Sequence, residues 1–576
     1  MGCARIALSY APHDFNNAAA VGRGAGRAHR ALSVRPVSRT LGALLDEMAA
    51  ARPHADAVVF RDQRLSYAAL QARVDELARA LLALGVRRGD RVAVLLPNRA
   101  EWVVAGLAIG KIGGILAAIS TFSTPRELGW ALAHSGATAL ITVETFRGRG
   151  YLAAVYELCP ELAASAPGAL RSARLPALRA VIALDARRHD GVLHPDDVVT
   201  RAGATTTAAL RAAQMSVAPG DVCYILYTSG STATPKGVTL VHGGVIDNGF
   251  EIGERQHLSA ADRLWLAVPL FWSFGSANAL PAILSHGGCV VLQESFEPGE
   301  ALELLESERC SVYYGMANMA RALLEHADRP RRRLAAMRTG LTIGLPEDIE
   351  MTMEAVGARE LCNVYGSTET YGNCAVTDAH DPLALRLHTQ GRPLPGMQLR
   401  VVHPETQRLL GAGEIGELCV RGRVTPGYFR APELDAAAFD ADGYFLTGDL
   451  GLIGDDGRVR FRGRLKEMIK TGGINVAPLE VEQVLLQHPD VQQAYVVGVP
   501  DRDRDEIVAA VVELHAGATT TADALVAFCR ERLASYKVPR RVQFRGAADF
   551  PRTATGKIHK PGLRQDLAGE SGMMRP

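Results

Sequence analysis

Apolar residues recur along this chain with two different periods, and the period changes from segment to segment. Leu41, Leu44, Leu45 and Met48 lie at helical spacing, as do Leu70, Val74, Leu77 and Leu81. Short apolar runs follow turn residues at 91–97, 264–269 and 289–292. Runs of this kind, alternating with helices, predict α/β layers with buried parallel strands. Between 413 and 462 strand and turn signals dominate, which predicts a β-rich subdomain. Beyond Arg464 the pattern shifts again. It predicts a helix over 478–488, strands over 493–499 and 507–514, a helix over 521–533 and a strand over 541–544.

The expected architecture is therefore α/β. A large N-terminal domain of layered sheets and helices spans 41–462 and includes the β-rich subdomain. A boundary at 463–466 leads into a small α+β C-terminal domain over 467–564. Residues 1–40 carry Arg5, Arg23, Arg27, Arg30, Arg35 and Arg39 against Asp14 alone. They read as a disordered basic leader, with a transit peptide as the alternative. Residues 565–576 read as a disordered tail. No repeat at a solenoid period is present.

Composition narrows the function classes. Of the 576 residues, 48% are hydrophobic and 22% charged, the balance of a globular chain. Lys and Arg number 63 against 62 Asp and Glu, so no overall field draws the chain to nucleic acid or an anionic membrane. The nine cysteines are scattered and never spaced C-x-x-C, which argues against a disulfide framework or zinc ribbon and for a reducing, cytoplasmic compartment. The most apolar stretch, 103–120, is interrupted by Lys111 and several glycines and is too broken for a membrane span. Nothing in the sequence decides between a monomer and a homodimer.

Chemistry enters with a glycine-rich loop at a strand end. An apolar strand over 223–227 runs into Thr228, Ser229, Gly230, Ser231, Thr232, Ala233, Thr234, Pro235, Lys236 and Gly237. Backbone N–H groups, hydroxyls and a lysine gathered this way cradle phosphate. The spacing is not that of the G-x-x-x-x-G-K-[ST] loop. Further along come Asn363, Val364, Tyr365, Gly366, Ser367, Thr368 and Glu369, and then a Thr447-Gly448-Asp449 turn. A second cluster joins Gly463, Arg464, Leu465 and Lys466 to Gly472 and Gly473, and 551–557 ends in Lys557.

In this order the motifs resemble those of the AMP-forming adenylating ligases, among them acyl-CoA synthetases, luciferase-like enzymes and the adenylation domains of peptide synthetases. The resemblance covers roughly 41–564 and lies closest to the acyl-CoA synthetases. It implies ATP, Mg²⁺ and CoA as cofactors, and a small-molecule carboxylic acid as substrate. It also implies a site. Thr228, Ser229, Gly230, Ser231, Thr232 and Lys236 would hold phosphates. Asn363, Tyr365, Gly366, Ser367 and Thr368 would border adenine and the α-phosphate. Glu369 and Thr232 would ligate Mg²⁺, Asp449 and Arg464 would take the ribose, and Lys557 would be the mobile catalytic lysine beside Thr368, Glu369 and Lys236. Lys466 would be the hinge about which the small domain turns, and Gly472 and Gly473 would line a CoA tunnel.

For the acyl group the resemblance points to Phe271, Trp272, Ala277, Gly340 and Thr342 as pocket walls. Trp272 stands where the family commonly has histidine, and Ala233 where it commonly has glycine. The first change replaces an imidazole with an apolar face. The second adds a Cβ to a phosphate loop. His242 either serves the site or caps a helix. The acid expected is aryl, alicyclic or medium-chain. Alternatives are loading of an acyl carrier protein, an enzyme of one half-reaction, or a non-catalytic nucleotide-binding scaffold.

Overall fold

Two sheets with parallel cores carry the large domain, each built from short strands buried on both faces. The computed structural model describes residues 35–228, 235–471, 474–501, 504–552 and 558–573. In the first sheet the parallel strands Glu360–Tyr365, Thr339–Thr342, Val312–Tyr314, Arg263–Leu266, Cys289–Leu292 and Asp56–Phe60 lie side by side. Antiparallel strands flank them at both edges. In the second, Val222–Thr228, Ile115–Ala118, Arg91–Leu95, Ala139–Thr142 and Ala180–Ala183 run parallel, and Lys236–Val241 closes one edge antiparallel to Val222–Thr228. The helix–strand alternation read from the sequence is thus the observed one.

The helix Ala100–Lys111 explains the apolar stretch around 103–120. Every residue from Trp102 to Lys111 is buried, as expected of a helix enclosed by neighbours on all sides. Lys111 is tolerated there because its ammonium meets Asp46 at 2.7 Å and Asp75 at 2.5 Å. Among the described residues no helix is long and apolar enough to cross a membrane.

The β-rich subdomain is an antiparallel sheet of Gln398–Val402, Gly416–Arg421, Phe445–Ile453 and Val459–Arg464. The small domain follows. Its sheet pairs Val491–Asp501 with Asp505–Leu514, and Arg541–Phe544 adds in parallel. Period-two alternation sends Val496, Val508, Ala510 and Val512 to one face, under the helices Pro478–Leu485 and Ala522–Arg530. Val497, Val499, Ala509 and Val511 go to the other.

That second face corrects the expected tail. The helix Lys560–Met573 covers it with Leu563 and Leu567, both fully buried, so the small domain continues past 564. Two apolar faces require two covers, and an i, i+4 leucine pair supplies the second. Residues 35–40, expected to be part of a leader, are described and packed; residues 1–34 lie outside the described residues. Arg35 and Arg39 form ion pairs with Glu251 and Asp247 on the helix His242–Arg255, so 35–40 belong to the fold.

Candidate functional site

The glycine-rich loop joins two antiparallel strands. Thr228 pairs with Lys236 and Tyr227 with Gly237. Ser229, Gly230, Ser231, Thr232 and Ala233 lie outside the described residues. Lys236 points its ammonium at the ring of Tyr428, 5.1 Å from the centroid.

The second motif leaves the strand Glu360–Tyr365 at its C-terminal end. Gly366 is required there, because a Cβ would meet Asn373 Cα at 2.5 Å and Gly372 O at 2.6 Å. Behind this close approach, Thr368–Thr370 forms one 3₁₀ turn after Ser367. The Thr368 hydroxyl lies 3.0 Å from that of Ser273. Glu369 accepts a hydrogen bond from Tyr428 Oη at Oε1, 2.9 Å. Its second oxygen takes no hydrogen bond among the described residues. Tyr428 therefore touches both Glu369 and Lys236. Asn363 is buried within the strand, with Oδ1 accepting from Val364 N–H at 2.8 Å and Nδ2 unpartnered.

Asp449 lies on the neighbouring antiparallel sheet, in register with Arg464. Only 6% of it is exposed. Tyr365 Oη donates to Asp449 Oδ2 at 3.1 Å and to Thr447 Oγ1 at 3.2 Å. The other oxygen, Oδ1, makes no hydrogen bond and has only the Arg464 guanidinium 3.3 Å away. Burial pushes the carboxyl up to about 6, against the pull of Arg464 and the Tyr365 hydrogen bond, with the negative charges of Glu369 and Glu467 adding to the rise. A buried carboxylate with a free lone-pair set is suited to accept from a vicinal diol. The Tyr365 ring stacks against Phe461 at 5.9 Å.

The expected hinge begins at Gly463, whose φ of 137° is open to glycine, and continues into the 3₁₀ turn Leu465–Glu467 that carries Lys466. Lys560 ties this turn to the small domain, with Nζ 3.1 Å from Glu467 and 2.9 Å from Glu482. Burial works against its charge, but the two carboxylates more than offset that and raise its pKa. Gly472, Gly473 and Lys557 lie outside the described residues. Arg552 and Ile558, which bound the Lys557 segment, pair antiparallel.

A cleft of about 1360 Å³ is shared by the large domain, the hinge turn and the small domain; Lys236, Tyr365, Thr368, Glu369, Tyr428 and Asp449 are not part of its lining. Phe271 and Trp272 line it, and so do Arg464 and Lys466 from the hinge and Arg552, Ile558 and Lys560 from the small domain. Phe271 stacks edge-on with Trp272 and with Phe122. Of the acyl-pocket residues expected from the sequence, Ala277, Gly340 and Thr342 do not border this cleft. Ala277 is fully buried in the π-helical turn Phe274–Ala279. Gly340 and Thr342 sit inside the sheet, where a Cβ on Gly340 would meet Tyr313 O at 2.0 Å. The walls that sequence reading missed are Phe122, Phe146, Met316 and Met319. Their signal was positional, since Phe122 and Met316 follow the C-terminal ends of parallel strands, where α/β sheets bind ligands. His242 is a helix-capping residue: its Nδ1 accepts from Leu41 N–H at 3.2 Å, and burial holds it down to about 4.

Residues 45–429 match the AMP-binding enzyme family, and 480–557 match the AMP-binding enzyme C-terminal domain. The chain is 37% identical to YngI of Bacillus subtilis over 92% of this chain and 97% of that one. It is 34% identical to the mitochondrial medium-chain acyl-CoA ligase ACSF2 of Mus musculus over 92% and 88%. Among solved structures, ATP-bound MatB from Rhodopseudomonas palustris superposes with a TM-score of 0.78 at 28% identity, over 92% of this chain and 99% of that one. The anthranilate CoA ligase AuaEII, in complex with anthranoyl-AMP, gives 0.79 at 25% identity over 93% and 99%.

Proposed function

Because the chain belongs to the AMP-binding enzyme family, we propose that it is an AMP-forming acid–thiol ligase acting on a medium-chain carboxylic acid, with CoA as the acceptor. In the first half-reaction the acid's carboxylate attacks the α-phosphorus of ATP, giving acyl-AMP and pyrophosphate. In the second the CoA sulfur attacks the acyl carbonyl, AMP leaves, and one proton is released.

One observation carries the reading. The buried Asp449 keeps an oxygen without a hydrogen bond, facing Arg464, a residue of the cleft wall, and is close enough to Glu369 to feel its charge, while Tyr428 joins Glu369 to Lys236. In this reading the ribose, metal and phosphate groups adjoin, and the Ser273–Thr368 contact ties them to the segment that carries Trp272. In this proposal Asp449 and Arg464 hold the ribose, and Tyr365, Gly366 and Ser367 border the adenine. Thr368 and Lys236 take phosphate oxygens with the glycine-rich loop. Glu369, with its free carboxylate oxygen, would hold Mg²⁺, which supplies charge neutralisation on the phosphates. Lys557 would stabilise the charge developing between two anions.

Medium chain length is supported by the flexible Met316 and Met319 beside Phe271 and Trp272, and by the medium-chain ligase among the relatives. CoA is favoured over a carrier protein because Arg147 and Arg321 line the same cleft with no ion-pair partner among the described residues, ready for phosphates. The domain limits 35–462 and 467–573, the hinge at 463–466 with Lys466 as pivot, and the Gly472–Gly473 tunnel wall belong to the same proposal. So does a reducing, cytoplasmic location, on the eight buried free cysteines of the described chain.

The test separates the half-reactions. Lys557→Ala should abolish acyl-AMP formation, read by pyrophosphate exchange, yet largely spare thioester formation from supplied acyl-AMP. Equal loss of both would overturn the assignment.

A further inference from the structure

On the far side of the helix His242–Arg255 from its glycine-rich-loop end, two histidines and a carboxylate meet. His257, just past the helix, directs Nε2 at Asp378 Oδ1, 2.8 Å away. His380 stacks its ring on that of His257, with centroids 4.0 Å apart and planes 14° apart. One nitrogen from each ring and one Asp378 oxygen lie within 4.8 Å of one another.

The backbone holds this arrangement from both sides. His257 occupies the left-handed region at φ 52°, which β-carbon-bearing residues adopt at a cost. Its carbonyl accepts from Arg338 Nη2 at 2.8 Å. Across from it, Ala379 N–H donates to Arg255 O at 2.8 Å, and His380 N–H donates to Asp378 Oδ1 at 2.9 Å. The 378–380 turn is thereby fixed against the helix end. Glu360 Oε1 lies 3.7 Å from His380 Nε2 and offers a second carboxylate.

From this geometry we infer a binding site for a late first-row divalent ion of the Zn²⁺, Co²⁺ or Ni²⁺ type, held by His257, Asp378 and His380 and separate from the catalytic cleft. Two imidazoles and one carboxylate are the donor set that such ions prefer over Mg²⁺ or Ca²⁺. Ions bound by His and Asp sit about 2.0–2.2 Å from each ligand atom, so donors must approach within roughly 4 Å of one another. The two rings stack nearly parallel, so to bind the ion the exposed His380 ring turns out of the stack and brings its in-plane lone pair toward the His257 and Asp378 donors. The ion displaces the proton that His257 shares with Asp378 and leaves its remaining positions to water or Glu360. About two thirds of the His257 and Asp378 side-chain surface is already withdrawn from solvent, at 32% and 31% exposure, while His380 at 61% exposure gives the ion its entry. The site would pin the end of the helix that follows the strand Lys236–Val241 to the turn after Ala375–Val376.

The experiment uses the full-length, tag-free chain after chelator treatment and dialysis. Calorimetric titration with Zn²⁺, and Co²⁺ titration followed by visible d–d absorption, should show one ion per chain bound with micromolar affinity. His380→Ala removes an exposed ligand without disturbing the core and should weaken binding by roughly tenfold or more. His257→Gln keeps a side-chain donor toward Asp378 and should weaken it similarly. His515→Ala, an exposed histidine elsewhere, should leave it unchanged. The inference is overturned if Zn²⁺ does not bind below about 100 μM, which corresponds to roughly −5.5 kcal/mol. It is also overturned if His380→Ala and His257→Gln bind as tightly as the parent chain.

Discussion

Removing the Tyr428 hydroxyl should weaken the Mg²⁺–nucleotide step by itself. Tyr428 Oη donates to Glu369 Oε1 at 2.9 Å, and burial beside the Glu369 charge raises its pKa far above neutrality, so it remains a donor at every assay pH. Its ring also lies under Lys236, and Tyr428→Phe retains that contact. The variant therefore deletes one hydrogen bond to a charged group and little else. Such bonds contribute about 1.5–3 kcal/mol, equivalent to roughly a 10- to 100-fold loss in the step that uses the oriented carboxylate. The assay is acid-dependent ATP–pyrophosphate exchange as a function of Mg²⁺, with Mn²⁺–ATP binding followed by EPR as a readout independent of turnover. We expect half-saturating Mg²⁺ to rise by that factor, weaker Mn²⁺–ATP binding, and an unchanged rate of thioester formation from supplied acyl-AMP. An unchanged metal dependence, or equal loss in both half-reactions, would refute Tyr428 as the residue that orients Glu369.

Three further predictions rest on single residues. Asp449 titrates near 6 in the folded chain against an ordinary carboxylate value near 3.8, so ionisation opposes folding: the native state favours the protonated form, and stability is lost as pH rises from about 4 through 6. Asp449→Asn should accordingly raise Tm at pH 7.5, with the gain shrinking toward pH 4, while ATP binding falls at every pH; a Tm increase independent of pH would contradict this. Lys560→Ala leaves Glu467 and Glu482 facing each other without their cation and should destabilise the small domain by roughly 2 kcal/mol or more, seen as an earlier thermal transition. Trp272→Ala opens the aromatic wall beside Phe271 and should shift kcat/KM toward longer acids; an unchanged chain-length profile would remove Trp272 from the acyl site.

Much of this was legible because local signals and the tertiary fold agree. The helix from Leu41 and the strand Cys289–Leu292 fall where periodicity put them, and the shift of pattern after Arg464 coincides with the start of a separate sheet. The Asp449 and Glu369 carboxylates were legible as motif positions, because each stands in a short run of residue types on one turn. Tyr428 was not. Its role depends on an isolated bridge between Val238 and Tyr428 that spans nearly two hundred positions of sequence, and no local pattern encodes it. The cleft walls fail for the same reason. Phe122 follows a strand of one sheet and Met316 a strand of the other, and they line one cleft only once the sheets assemble. Gly340 lies off the cleft, packed against Tyr313, and a glycine required by tight strand packing looks identical in sequence to one that makes room for a ligand. The closing helix was missed because Leu563 and Leu567 are a sparse stripe in a polar segment, and their worth depends on the bare sheet face they cover.

The most direct test of the account is CoA- and acid-dependent AMP release from ATP, with the thioester identified in the same reaction, across octanoate, palmitate, benzoate and cyclohexanecarboxylate. The account predicts AMP and octanoyl-CoA in equal amounts, with octanoate the preferred acid and pyrophosphate exchange persisting when CoA is omitted. Exchange without thioester would transfer the acceptor role to a carrier protein. No exchange with any acid would contradict the central claim that this cleft makes an acyl adenylate.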